Sequence, residues 1–363
     1  MKKIAVVGAG HIGSTIAALL SGSGDYDVLV IDRDQAALSG IATSATISTK
    51  AVDVSQPGAL RDAISGAYAL ISAAPYQLTT LIAKAAVDAG VHYLDLTEDV
   101  ASTHEVERLA QGASKAFIPQ CGLAPGFVSI VAFDFVRRFD KVLDMALRVG
   151  ALPQYPSNAL GYNLTWSTDG LIHEYCVPCE AIVEGKLTLT TPLQECETLA
   201  IDGVMYEAFN TSGGLGTLCK TLAGKVRNLN YRTMRYPGHV AIMRTLLNDL
   251  RLRDDTDLLK KIFERALPQT EQDVVVIFVT VSGERGGRLM QETFTRKVYA
   301  QQIDGTLYSG IQVTTAGGIC AVLDLLAQGE LPQAGFVRLE QVPLDKFLKN
   351  RFGRYYASAS APN

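Results

Sequence analysis

Six residues near the start of the chain, Gly8-Ala9-Gly10-His11-Ile12-Gly13, have the types and spacing to hold a pyrophosphate. Gly8 permits a tight turn, Gly10 lets the backbone approach the phosphates, and Gly13 allows a helix to pack closely on the preceding strand. A helix starting at this turn offers free N–H groups and the positive end of its dipole to the same anion. Asp32 follows Gly13 by nineteen residues, at the end of the apolar run Val28-Leu29-Val30-Ile31. A carboxylate there accepts hydrogen bonds from the adenosine ribose hydroxyls and repels a 2′-phosphate, so NAD is the expected cofactor. Arg33 is the counterweight, because a guanidinium at that place pairs with a 2′-phosphate.

The elements that must position these groups alternate along the chain. Residues 4–7 are an apolar run of the kind buried on both faces of a sheet, and Ile16, Leu19 and Leu20 recur at helical spacing. Residues 47–54 read as a third strand ending near Asp53, and 57–65 as a helix with Pro57 in its first turn. Residues 68–72 form a fourth strand that breaks at Ala73-Ala74-Pro75, followed by a helix over 77–89 capped by Gly90. Residues 92–96 are a fifth strand leading to a polar helix over 102–115. Residues 117–120 are a sixth, ending in Cys121-Gly122-Leu123-Ala124-Pro125-Gly126. This βαβ rhythm predicts an α/β fold with a parallel, doubly wound (Rossmann) sheet, its ligands at the carboxyl ends of the strands. Asp53, Ala74, Pro75, Cys121 and Gly122 lie at those ends and join the glycine turn as candidate cofactor contacts. Tyr76, Asp95 and Thr97 sit on the same edge. His92 begins its strand, at the opposite edge, and reads as structural.

The rhythm changes after an apolar helix over 128–139. Residues 142–149 alternate as an antiparallel strand would, and strand-like runs follow at 181–189, 273–282 and 289–302. Helices are expected near 217–222, 240–250 and 256–266, which together suggest a second α+β domain. An apolar helix over 315–327 is suited to covering the first domain again. The expected division is 1–125 with 314–363 for the dinucleotide domain and 126–313 for a substrate and dimerisation domain. Residues 357–363 are expected to fray.

With 363 residues the chain is long enough for two cores, and its net charge of −4 gives no electrostatic reason to expect nucleic acid or a membrane surface as partner. The opening Met-Lys-Lys resembles the start of a signal peptide, but the glycine motif interrupts the apolar segment such a signal needs. No uninterrupted apolar run approaches a membrane span. Six cysteines in 39 kDa form no disulfide framework, so the cytoplasm is the expected compartment. Cys176 and Cys179 have a metal-like spacing without a second pair, and no metal is expected.

The chain resembles the saccharopine dehydrogenase-like family, and within it the lysine 6-dehydrogenase branch. The likeness rests on the glycine turn, Ala74-Pro75, His92-Tyr93-Leu94-Asp95, Gly122-Leu123-Ala124-Pro125-Gly126 and Trp166-Ser167-Thr168-Asp169-Gly170 with Glu174-Tyr175. It extends through Thr211-Ser212-Gly213-Gly214 to Tyr231-Arg232-Thr233-Met234-Arg235-Tyr236-Pro237-Gly238-His239. The resemblance implies nicotinamide-linked oxidation at an amine carbon, an N-terminal domain rejoined by the end of the chain, and a homodimer. L-Lysine oxidised at its terminal amine is the expected reaction. A saccharopine or carboxynorspermidine-type dehydrogenase is the alternative, and a dinucleotide-binding sensor without turnover is the non-enzymatic one.

Such chemistry needs a neutral amine and a group that takes its proton. Asp95 and Tyr76 are the candidates, although Asp95 serves equally well as a helix cap or ribose contact. An amino-acid carboxylate is best held by arginine. Arg235 and Arg232 are the candidates, on opposite faces if their segment is extended. Thr211, Ser212 and Gly213 would open the helix near residue 217 and hold the same carboxylate or merely cap it. His239 could act as acid or base, or be a satisfied structural histidine.

Overall fold

The first six expected strands line up in one parallel sheet. The computed structural model describes residues 1–357, so the segment expected to fray lies, from residue 358 onward, outside the described residues. In chain order the elements are β1 (Lys2–Val7), α1 (His11–Gly22), β2 (Tyr26–Asp32), α2 (Gln35–Ser39), β3 (Ile47–Ala51), α3 (Ala59–Ala63), β4 (Ala69–Ser72), α4 (Thr79–Ala89), β5 (His92–Asp95), α5 (Val100–Leu109) and β6 (Ala116–Ile118). Their order across the sheet is β6-β5-β4-β1-β2-β3, every pair parallel. Ile4 to Val7 and Ala69 to Ser72 are buried throughout, which is why these strands read as continuous apolar runs rather than alternating ones. Gly90 ends α4 in the left-handed conformation, as its sequence position requires. Pro57 does not enter its helix: α3 starts at Ala59, behind a left-handed Gly58.

The following elements are α6 (Phe127–Val136), β7 (Lys141–Pro153), α7 (Thr168–Cys176), β8 (Cys179–Val183), β9 (Lys186–Thr190), β10 (Glu197–Ile201), β11 (Val204–Asn210), α8 (Leu218–Leu222), β12 (Asn228–Arg235), α9 (His239–Arg244), α10 (Thr256–Ala266), β13 (Asp273–Arg285), β14 (Arg288–Tyr299), β15 (Gln301–Ile303), β16 (Thr306–Tyr308) and α11 (Gly310–Ala327). The second sheet runs β10-β11-β12-β7-β13-β14. It is mixed: β7 is antiparallel to β13, as its alternation predicts, but parallel to β12. The single run expected over 181–189 is a hairpin, because Glu184 and Gly185, at φ 48° and 80°, reverse the chain between β8 and β9. The run over 289–302 likewise divides into β14 and β15. The helix expected over 240–250 is α9 followed by a wider turn at Thr245–Asp249.

Side chains two apart on the strands of this second sheet share a face. Phe209 joins Tyr162, Leu171, Tyr175, Met243 and Phe263 in the core beneath the helices. Its neighbours Tyr206 and Ala208 join Leu152, Met234 and Val276 in another cluster.

The chain divides into two compact units, 1–130 with 312–357 and 131–311. Helix α11 passes a length-and-composition test for a membrane span, with mean hydropathy 1.5, yet 83% of it is buried within the fold, so it is a core helix. It starts five residues earlier than its apolar pattern suggests, because the buried Asp273 carboxylate of β13 accepts the Gly310 and Ile311 N–H groups. Beyond it, β17 (Gly335–Phe336) adds a seventh parallel strand outside β6, before α12 (Leu344–Lys349).

Candidate functional site

The glycine turn has the shape its sequence dictates. Gly8 sits at φ 109°, and a Cβ there would lie 2.6 Å from the Ala73 carbonyl. A Cβ on Gly13 would lie 1.9 Å from the Gly8 carbonyl, so helix α1 approaches β1 only because that position is bare. Gly10 is different: a Cβ on it would meet open space, the space a pyrophosphate fills. No side chain among the described residues caps α1, which leaves the N–H groups of His11, Ile12 and Gly13 directed at that space. The residues therefore fit a dinucleotide.

Asp32 does two jobs. One carboxylate oxygen accepts the Ala9 N–H at 2.8 Å and the other the Asp34 N–H at 2.9 Å, tying the turn to the end of β2. Remaining lone pairs are available to ribose hydroxyls. Arg33 is exposed. Asp53, beyond β3, accepts the Ser55 hydroxyl and N–H, which with a smaller contribution from Arg33 hold its carboxyl below the usual range. Ala74 and Pro75 follow β4 directly, where Ala73 abuts Gly8.

Two of the expected cofactor contacts are turned inward. Cys121 is buried, its thiol donating to the Ile118 carbonyl at 3.0 Å, and Gly122 is buried against Thr315 of α11. Their loop packs the helix rather than lining an accessible surface. Tyr76 is half-buried on a short 3-10 turn, and its carbonyl accepts from Ser102 at 3.5 Å.

Asp95 is buried at the end of β5, where it organises the edge. Its Oδ1 accepts the Thr97 N–H at 3.0 Å and the Gln120 N–H at 2.9 Å, joining the loops after β5 and β6. Burial raises its carboxyl to about 6, against the opposing effect of the Gln120 and Thr97 N–H groups and the Tyr93 hydroxyl. The cap of α5 is Asp99, which accepts the Ser102 N–H at 2.7 Å. Between them stands Glu98, partly buried.

In the second unit, β12 is extended, and Arg232 and Arg235 do lie on opposite faces. Neither is poised for a ligand as expected. Arg235, 2% exposed, donates through Nε to the Tyr175 hydroxyl at 3.0 Å and through Nη1 to Thr233 and the Met234 carbonyl. Its Nη2 reaches Glu174 at 3.1 Å. Arg232 is paired with Glu197 at 2.7 Å and Glu195 at 2.8 Å. Glu195 in turn lines a polar cavity of about 540 Å³ with Asp144, Glu180, Asn210 and Asn230.

His239 is buried and neutral. Burial, then the Arg235 charge, push it down to about 3. Its Nδ1 lies 2.9 Å from the Leu160 carbonyl, which only accepts, so Nδ1 carries the proton and Nε2 accepts from the Tyr175 hydroxyl at 3.1 Å. It is a structural histidine rather than an acid or base. Thr211, Ser212 and Gly213 do not open α8, which begins at Leu218. Ser212 instead donates its N–H to the Glu174 carbonyl at 3.1 Å, and the buried Thr211 hydroxyl has no partner among the described residues. Glu174 and Tyr175 of α7 are the residues that unite this cluster.

Comparison with known proteins identifies the family. Residues 4–118 match the family model described as the saccharopine dehydrogenase NADP binding domain, and residues 122–353 match the saccharopine dehydrogenase C-terminal domain. The first match makes the dinucleotide a nicotinamide one. Mitochondrial alpha-aminoadipic semialdehyde synthase of Rattus norvegicus is 24% identical over 200 residues, 52% of this chain and 21% of that protein. The NADP(+), L-glutamate-forming saccharopine dehydrogenase of Schizosaccharomyces pombe is 26% identical over 182 residues, 47% of this chain and 40% of that one. The chain thus spans only a minor part of these relatives. In fold it is similar to apo saccharopine dehydrogenase (L-Glu forming) from Saccharomyces cerevisiae, with TM-score 0.77 at 17% identity over 96% of this chain and 97% of that one. With both family models matched across nearly its whole length, the chain belongs to the saccharopine dehydrogenase family.

Proposed function

We propose that the protein is an NAD-dependent amino-acid dehydrogenase that oxidises the terminal amine of L-lysine to 2-aminoadipate 6-semialdehyde and ammonia, the semialdehyde then cyclising. The observation that carries this reading is the charge balance. Arg235 and Arg232 are committed to Glu174, Glu195 and Glu197, and Arg244 to the Leu193 carbonyl. A substrate with three carboxylates would need several uncommitted cations. A substrate with one carboxylate and two amines needs fewer.

When bound, the nicotinamide supplies the hydride acceptor. The chain's part is to hold the pyrophosphate at the N–H groups of α1, hold the ribose at Asp32, and take the proton that frees the amine lone pair. Preference for NAD rests on Asp32, with the Arg33 charge partly met by Asp53. A second reading, oxidation of a secondary amine such as saccharopine, is favoured by the names of the relatives. We further propose a cytoplasmic homodimer. The six unpaired cysteines support a reducing compartment, and edge strand β14, with exposed Leu289, supports a partner. Nicotinamide reduction measured with L-lysine, saccharopine and carboxynorspermidine tests the substrate. Cofactor binding without turnover on any of them would point to a sensor.

A further inference from the structure

We propose that Gln312, in the first turn of α11, is a positioning residue for the dinucleotide, acting through Thr15 to aim the Ile12 N–H at the pyrophosphate. The inference goes beyond the amine-oxidation reading. It requires a nicotinamide dinucleotide at the glycine turn, whichever amine is oxidised.

Helix α11 runs against the direction of β1. Its last residue, Ala327, lends its carbonyl to Lys2 Nζ at 2.6 Å, at the start of that strand. Its first turn lies at the other end, where β1 gives way to α1, and there Gln312 Nε2 donates to the Thr15 hydroxyl oxygen at 3.3 Å. Asp273 accepts the Gly310 and Ile311 N–H groups, so the start of α11 spends them on a carboxylate of the chain itself. What α11 brings to the glycine turn is the Gln312 carboxamide.

Thr15 is 1% exposed, and its hydroxyl donates to the His11 carbonyl at 2.7 Å. A hydroxyl has one proton to give. With the carboxamide donating to its oxygen, that proton is left for His11. Ser14 Oγ donates to the same carbonyl at 2.9 Å in an exposed hydrogen bond, so Thr15 supplies the buried one. The peptide group that holds the His11 carbonyl holds the Ile12 N–H on its opposite side, and it is planar. Fixing the direction of the carbonyl therefore fixes the direction of the N–H. A hydrogen bond accepted by the carbonyl also polarises the peptide and strengthens the N–H as a donor. The Ile12 N–H is one of those that α1 leaves without a side-chain cap, facing the open space over Gly10. An apolar pair would also pack α11 on α1. The hydrogen-bonded pair adds direction, because such bonds weaken steeply when bent.

The test is NADH titration by fluorescence, with thermal melting in the absence of cofactor, on the full chain. NADPH replaces NADH if wild type binds it more tightly. Gln312→Met and Thr15→Val should each weaken binding about three- to tenfold. The double variant should bind no worse than Thr15→Val alone, because the two side chains act through one hydrogen-bonded chain. Thr15→Ser keeps the hydroxyl and should bind as wild type does. Gln312→Met should melt at the wild-type temperature. Unchanged affinity in Gln312→Met, or losses that add in the double variant, overturns the proposal while the dinucleotide site stands. Weaker binding in Gln312→Met accompanied by a lowered melting temperature also overturns it, leaving a structural contact only. If Thr15→Val does not fold, the other two single variants decide: Gln312→Met must weaken binding and Thr15→Ser must not. Wild type that binds neither nucleotide overturns the dinucleotide assignment together with the proposal.

Discussion

Arg235 Nε donates to the Tyr175 hydroxyl at 3.0 Å, and that hydroxyl in turn donates to His239 Nε2 at 3.1 Å. The direction of each hydrogen bond is fixed by the Leu160 carbonyl at the far end. The arginine most suited by sequence to bind a substrate carboxylate is thus the head of a buried chain that holds α7, β12 and α9 together.

Arg235→Ala should therefore act on stability. Removing one partner of a buried pair takes the Arg235 charge away from Glu174 and breaks the hydrogen bonds to Tyr175 and Thr233, a loss of about 3–5 kcal/mol. Denaturant unfolding measures it. A variant as stable as wild type with only the substrate KM raised would return Arg235 to the binding role. Arg232→Ala should cost less, because its partners Glu195 and Glu197 are more exposed.

His239 makes a pH prediction. Its folded value of about 3 lies below the unfolded 6.5, so the unfolded chain binds a proton that the folded chain refuses. Its contribution is complete above pH 6.5 and falls by about 1.4 kcal/mol per unit as pH drops toward 3. His92, held down to about 4 mainly by burial, acts with the same sign from 6.5 to 4. Asp95 and Asp273, raised to about 6 by burial, act oppositely, losing stability as pH rises from 3.8 through 6. The total curve mixes these, so the informative quantity is the stability difference between wild type and His239→Gln. It should shrink as pH falls below 6.5, and a constant difference would contradict a neutral, buried His239.

The glycine turn separates folding from binding. Gly13→Ala forces a Cβ against the Gly8 carbonyl and should lower the melting temperature along with NADH affinity. Gly10→Ala meets no protein atom and should leave melting unchanged in the absence of cofactor, while weakening NADH binding at least tenfold. Thermal melts with fluorescence titration distinguish the two, and equal destabilisation by both would contradict the geometry.

Much of the first unit was legible because its strands are buried on both faces and its turn chemistry is local. β10 and β11 were not, because Glu197–Ile201 and Val204–Asn210 mix charged and apolar side chains on strands whose pairing depends on distant partners. The early start of α11 was hidden because Asp273 reaches it from thirty-seven residues away. In the site, Arg235 and His239 carry the right chemistry by residue type, and only burial reveals that their hydrogen bonds are spent inside.

Asp32→Ala should relax the preference between NAD and NADP rather than abolish binding, since the phosphates remain at the glycine turn. Loss of the Ala9 contact should weaken both cofactors somewhat. Initial rates with each cofactor measure this, and faster or tighter use of NADP by wild type would contradict the NAD assignment.

Light scattering at micromolar concentration should give twice 39 kDa for the proposed homodimer. A single species at the monomer mass would reject it.

The most direct measurement is NAD reduction by the purified protein with L-lysine and with saccharopine as alternative substrates. The account predicts an absorbance rise with lysine, accompanied by ammonia, and little or none with saccharopine. Reduction with saccharopine but not with lysine would contradict it and assign the protein to the secondary-amine reaction.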